Sequence, residues 1–307
     1  MWNPLAKPAS LYADTQSEVV ANLRSPQRPW YANIGTTAAT LLLFLGAGAL
    51  RNPIDGVVIL IAALLVHEAG HWLAMKAFRY SNVQLLFIPF FGAGVSGYSA
   101  ESSGIKKPFV DLAGALLGIA FGIAFCVVYL TTRTALYKDI AWTFLILSVF
   151  NLLPLYPLDG GRLLFDTLFL RSVKAEAIFK VIAAIALIAV AVATQIWILI
   201  ILGIYSLLAL RSIVRIGKAA TAMKAQYAGT HKGDLGTAPD ELLGAFVSDT
   251  IRYLPAANSR QISSGARDLW ERINTRPPKA TQAIAMVLAY VGLAIVGMVF
   301  GIVVIAA

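Results

Sequence analysis

The sequence is poor in charge. Asp, Glu, Lys and Arg make up only 13% of its 307 residues, while 58% are hydrophobic. A soluble domain carries about 25% charged and about 45–50% apolar residues. That contrast excludes an ordinary soluble domain and an intrinsically disordered chain. Cysteine is nearly absent. With Cys126 alone no bridge can close within the chain, which excludes a disulfide scaffold. Histidine is scarce as well, at three residues, too few for a membrane di-iron centre. What is abundant is long apolar runs, and the class they define is an all-α polytopic membrane protein.

A hydrocarbon core about 30 Å thick needs roughly 20 apolar helical residues. Candidate spans are 32–50, 56–75, 109–130, 140–158, 181–193, 196–210 and 281–307, giving about six to seven transmembrane helices. The stretch 181–210 has no charged residue and only Gln195 as a break, so it reads as a tight helical hairpin. The first thirty residues lack an apolar core of signal-peptide length. The first span is therefore expected to be retained rather than cleaved.

Basic residues set the orientation. Of 25 Lys and Arg, 22 fall in the N-terminal tail and in 76–107, 162–180 and 211–279; the intervening connections hold only Arg51, Arg133 and Lys138. The positive-inside rule then places the N-terminus in the cytoplasm. It also explains the net charge of +9 without nucleic acid as a partner. The expected organisation is a cytoplasmic tail at 1–31, a membrane domain at 32–210, a basic and amphipathic cytoplasmic segment at 211–280, and a last span at 281–307. Within 211–280, Leu242, Leu243, Phe246, Val247, Ile251 and Leu254 recur at helical spacing behind Asp240 and Glu241.

Ionisable groups in hydrocarbon are costly and mark function by default. His67, Glu68 and His71 cluster inside one apolar run. Imidazoles at i and i+4 share one helical face and can bind one zinc ion, with the adjacent Glu68 as general base. A catalytic zinc site takes a third protein ligand and keeps a fourth position open. His231 lies in a polar stretch and is expected to be exposed. Asp159 is the better third ligand. It follows Pro154 and Pro157, which break the helix, and precedes Gly160 and Gly161. Asp111 is the rival, its other reading being a charge near the helix N-terminus after Pro108.

These residues resemble the site-2 protease family of intramembrane zinc metallopeptidases. The resemblance rests on His67-Glu68-Ala69-Gly70-His71 and, about ninety residues later, on Asn151 and the Leu158-Asp159-Gly160-Gly161 turn. It covers roughly 55–170, which it implies is a three-helix metalloprotease core, with 83–99 as a membrane-associated hairpin or loop. The resemblance implies zinc held by His67, His71 and Asp159, with Glu68 as general base and Asn151 near the scissile bond. Asn151 can equally serve as a helix–helix hydrogen bond. The implied activity is regulated cleavage of the transmembrane segments of single-span substrates, in a prokaryotic cell membrane. One departure is that Leu112 to Gly118 stands where the family often has a Gly-Pro and a downstream Asn. No stretch reads as a PDZ-like or CBS-like regulatory module. The alternatives from other classes are a catalytically silent protein that binds transmembrane helices, and a transporter.

Overall fold

A computed structural model describes residues 9–25, 54–88, 92–98, 104–155, 158–170, 172–195, 198–231, 233–254 and 258–307. The expected span at 32–50 and the tip of the 83–99 segment lie outside the described residues, as do Tyr156 and Pro157. The elements in order are α1 (Ala9–Arg24), α2 (Ile54–Ala77), β1 (Ser81–Ile88), β2 (Gly92–Tyr98), α3 (Lys106–Thr132), α4 (Ala135–Asn151), α5 (Asp159–Leu164), α6 (Val173–Thr194), α7 (Ile198–Tyr227), α8 (Asp240–Tyr253), α9 (Ser259–Asn274) and α10 (Ala280–Ala306). A π-helical turn at Phe165–Phe169 continues α5.

The chain is an integral membrane protein. Among the described residues α2, α3, α6 and α10 are long and apolar enough to cross a bilayer. They turn outward large apolar side chains such as Ile182, Leu288 and Ile302, which a soluble fold would bury. The helical expectation acquires one sheet. β1 and β2 pair antiparallel, Leu85 opposite Val95 and Ile88 opposite Gly92, with an irregularity between Ser81 and Gln84. Tyr80 and Val83 at the base of this hairpin pack on Ala74 and Met75 of α2 and on Val110 and Ala113 of α3.

Two boundaries differ from the sequence expectation. The span at 140–158 stops early, because α4 ends at Asn151. The Asn151 side chain donates to the Leu147 carbonyl at 3.0 Å, and Pro154, lacking an amide hydrogen, cannot continue the ladder. The apolar pattern runs on because Leu152 and Leu155 are buried in the core rather than in a helix. Tyr290 of α10 donates its hydroxyl to the Leu152 carbonyl at 2.6 Å, satisfying an acceptor that the break releases. Helix α6 starts before the expected 181, at Val173, because the Ser172 hydroxyl caps it by accepting from the Ala175 amide at 3.3 Å. Its end falls at Gln195, whose left-handed φ of 58° makes the anticipated break before α7.

Helix α1 meets α7, α8 and α9 in a second core. Val19 and Leu23 of α1 pack with Met223 and Tyr227 of α7, Phe246 and Ile251 of α8, and Leu269 and Trp270 of α9. Trp270 is the largest fully buried side chain there, its ring edge-on to Phe246 at 5.2 Å between centroids. Helix α9 is fixed at its start by a capping box between Asn258 and Gln261. Because α7 runs unbroken from its apolar first half into this core, it couples the two parts rigidly.

Charge clamps them as well. Arg272 of α9 pairs with the buried Glu176 of α6, which also pairs with Lys180 at 3.0 Å. Lys107 of α3 pairs with Glu271 of α9 at 3.1 Å and with Asp166 of the π-turn at 3.6 Å. Removing one partner of a buried pair costs about 3–5 kcal/mol, and Lys180 offsets part of that here. Arg272→Ala is expected to lower the melting temperature in detergent by several degrees and to speed proteolysis of the α8–α9 region. Unchanged melting and protection would show that the clamp contributes nothing.

Candidate metal centre

Helix α2 presents the two histidines one turn apart. Both are buried, His67 at 2% and His71 at 6% exposure, and so are Glu68 at 5% and Asp159 at 7%. The short helix α5 starts at Asp159, whose carboxylate enters the same space. His67 Nε2 lies 2.9 Å from Asp159 Oδ2, His71 Nε2 lies 3.1 Å from it, and the two Nε2 atoms are 3.3 Å apart. The structure thus brings together the three residues expected from the motifs, as a group of possible ligand atoms within 4.8 Å.

The protons decide what this cluster can hold. His71 Nδ1 sits 2.7 Å from the Val110 carbonyl, which can only accept. The Nδ1 atom therefore carries the hydrogen, and Nε2 of the neutral ring is a lone pair. In that form it faces the Asp159 carboxylate, itself an acceptor, so a positive charge is needed between them, either a proton on Nε2 or a metal ion. A divalent cation satisfies all three. A tetrahedral zinc ion with arms of about 2.0–2.1 Å holds its ligand atoms about 3.3 Å apart, close to the separations found. The donor set of two imidazoles and one carboxylate, with no fourth protein ligand among the described residues, fits a zinc site with one position open.

The surroundings fix these ligand atoms. An added Cβ at Gly114 of α3 would overlap the His71 imidazole, so α3 approaches α2 closely only because this position is glycine. Gly70 does the same from α2, its Cβ position overlapping the Ala113 backbone. Arg162 pairs with Asp111 Oδ1 at 3.5 Å and ties α5 to α3.

The other candidates fall elsewhere. Asp111 is buried but belongs to the Arg162 pair rather than to the ligand group. The His231 ring bonds the Thr237 hydroxyl at 3.1 Å at the surface, away from the ligand group. Asn151 donates one amide hydrogen to the Leu147 carbonyl of its own helix at 3.0 Å. Sequence reasoning did not find the Val110 carbonyl, Gly114 or Tyr290. A backbone acceptor leaves no mark on a sequence; the four-residue spacing of Gly114 and Gly118 was the one available signal of close helix approach.

The purified protein is expected to carry about one zinc per chain. Asp159→Ala removes a ligand and Gly114→Ala displaces His71, so elemental analysis of either should show lost occupancy. Full zinc retention in both would remove the site as described.

Residues 131–194 match the model of peptidase family M50, a stretch that contains Asn151 and Asp159. The chain is 34% identical over 139 residues to the protein Rip3 of Mycobacterium tuberculosis, covering 42% of this chain and 33% of that one. It is 26% identical over 151 residues to a zinc metalloprotease of Methanocaldococcus jannaschii, covering 45% and 43%. With the stage IV sporulation protein FB of Bacillus subtilis it shares 30% over 128 residues, 41% and 44% of the two lengths. These alignments span less than half of each relative. A solved site-2 protease from Methanocaldococcus jannaschii aligns with 58% of this chain and 88% of its own, at 21% identity and a TM-score of 0.42. Through its motifs and these partial alignments, the chain is similar to peptidase family M50.

Proposed function

We propose that this chain is an intramembrane zinc metalloprotease that hydrolyses peptide bonds in the transmembrane segments of membrane proteins, single-span proteins above all. The observation that carries the reading is the convergence of His67 Nε2, His71 Nε2 and Asp159 Oδ2 in a buried site, with the His71 tautomer set by Val110. Zinc held there would polarise the scissile carbonyl and acidify the attacking water. Glu68 is the general base. It follows His67 by one residue and so points about 100° away from the shared ligand face. Its Oε2 is buried without a hydrogen-bond partner among the described residues, available to take the water's proton and return it to the leaving amine. Asn151 is assigned to the substrate side of the site, its amide changing partner from the Leu147 carbonyl to the substrate backbone.

A helical substrate has its carbonyls tied up and must unwind before attack. The β1–β2 hairpin packs beside α2, and its edges offer backbone groups to an extended strand. The reading counts about six to seven spans, adding 32–50, α4 and the apolar half of α7 to the four long helices. Core residues 55–170 form the catalytic part. The chain sits in a prokaryotic cell membrane with its N-terminus in the cytoplasm, and α1, α8 and α9 form a cytoplasmic unit. Arg211, Arg215 and Lys218 lie where α7 leaves its apolar half and meet anionic lipid headgroups.

Two experiments test this. Glu68→Gln keeps the size of the side chain and removes the base. The variant should bind zinc as the wild type does, yet lose about 10²–10⁴-fold in cleavage of a co-expressed single-span protein. Cleavage at the wild-type rate would favour helix binding without catalysis. For topology, Ala135→Cys should label with an impermeant thiol reagent in intact cells and Lys232→Cys should not. The reverse pattern would overturn the orientation.

A further inference from the structure

His67 and His71 are anchored unequally. The His71 ring donates Nδ1–H to Val110, whereas His67 Nδ1 is buried and has no hydrogen-bond partner among the described residues. Its Nε2 is turned to Asp159 and His71. If Nε2 is a ligand atom, Nδ1 of the neutral ring carries a hydrogen and needs an acceptor. Metal-bound histidines almost always have one.

The structure holds one unspent hydroxyl nearby. Ser148 of α4 is 1% exposed, and its Oγ also lacks a partner among the described residues. Other hydroxyls on these helices bond the carbonyl four residues back: Thr143 to Asp139, Thr167 to Leu163, Thr250 to Phe246 and Ser263 to Ser259. Ser148 does not. Its hydroxyl is turned off its own helix toward α3, where it fills the space a Cβ at Gly118 would occupy. That same Cβ position lies 3.9 Å from His67 Nδ1. The two orphaned polar atoms thus both lie near the point where a side chain at Gly118 would begin.

We infer that Ser148 is a positioning residue for the metal site: His67 Nδ1–H donates to one bridging water beside Gly118, and that water donates to the Ser148 hydroxyl. Each atom then gains the partner it lacks. His67 is held in the tautomer that leaves Nε2 free, the role that Val110 has for His71. Gly118 is required because any side chain would fill the bridge. The inference rests on the proposed zinc reading of the site.

The test is zinc affinity, measured by chelator competition on the full-length protein in detergent, with the melting temperature of the metal-free protein beside it. Loss of such an outer partner typically costs about 10–100-fold in metal affinity. Ser148→Ala should show that fall while its metal-free form melts close to the wild type, because it removes one water-bridged hydroxyl. Gly118→Ala, whose Cβ would displace the Ser148 hydroxyl, should weaken zinc to a similar degree. Ser148→Ala affinity within twofold of the wild type overturns the inference and leaves the zinc site standing, as does a weaker affinity accompanied by a matching loss of metal-free stability. A wild-type protein that binds no zinc overturns the zinc reading itself.

Discussion

Two imidazoles and two carboxylates are buried within a protein whose outer faces are hydrocarbon, and almost everything in the core is arranged around that cost. An uncompensated ion in such surroundings would destabilise the fold by several kcal/mol. With the His71 ring neutral, Asp159 Oδ2 and His71 Nε2 both present lone pairs to the same point. The site is therefore built for a cation, and the fold has to bring a helix face and a loop-borne carboxylate together within hydrogen-bond distance before any ion arrives.

That requirement explains where regular structure gives way. A continuous α4 through residue 158 would leave Asp159 on a helix surface. Ending it at Asn151 lets a new short helix, α5, start at Asp159 with its carboxylate beside the histidines. The end of α4 releases backbone acceptors at membrane depth, which is tolerable only inside protein. Tyr290 reaches from α10 to satisfy one of them at Leu152. The last helix of the chain thus supports the break, although it supplies no ligand. On the opposite wall α3 comes close to α2 at Gly114, where a methyl group would already exclude the His71 ring.

Much of this was legible in the sequence because it is periodic or punctuated. His67 and His71 are one helical turn apart inside an apolar run, and the pairing of His67-Glu68 with a Pro- and Gly-marked Asp159 is rare enough to carry a family resemblance. The end of α4 was legible only in part: Pro154 and Pro157 marked a break, but Leu152, Leu153, Leu155 and Leu158 carry the apolar pattern past it. The role of α1 was hidden for another reason. Only a narrow stripe including Val19 and Leu23 is apolar, and its partners lie about two hundred residues later in α7, α8 and α9. Ser148 is invisible by any local rule, because its meaning depends on what stands across Gly118.

The second core bears on the first through geometry rather than contact with the ligands. Lys107 opens α3 and pairs with both Glu271 of α9 and Asp166, which lies seven residues beyond Asp159 in the π-turn. Val110, one helical turn further along α3, carries the carbonyl that orients His71. The same short stretch of α3 therefore meets the α9 helix at one end and fixes a ligand tautomer at the other. A helix transmits a shift of its first turn to the next almost undiminished, because its hydrogen-bond ladder is stiff along the axis. The ion pairs at Lys107 and Glu176 thus hold the start of α3 and the start of α6 against α9, and the precision of the buried site depends in part on residues outside the apolar core. The π-turn at Phe165–Phe169 carries Asp166 to 3.6 Å from Lys107, while α5 keeps Asp159 aimed at the histidines.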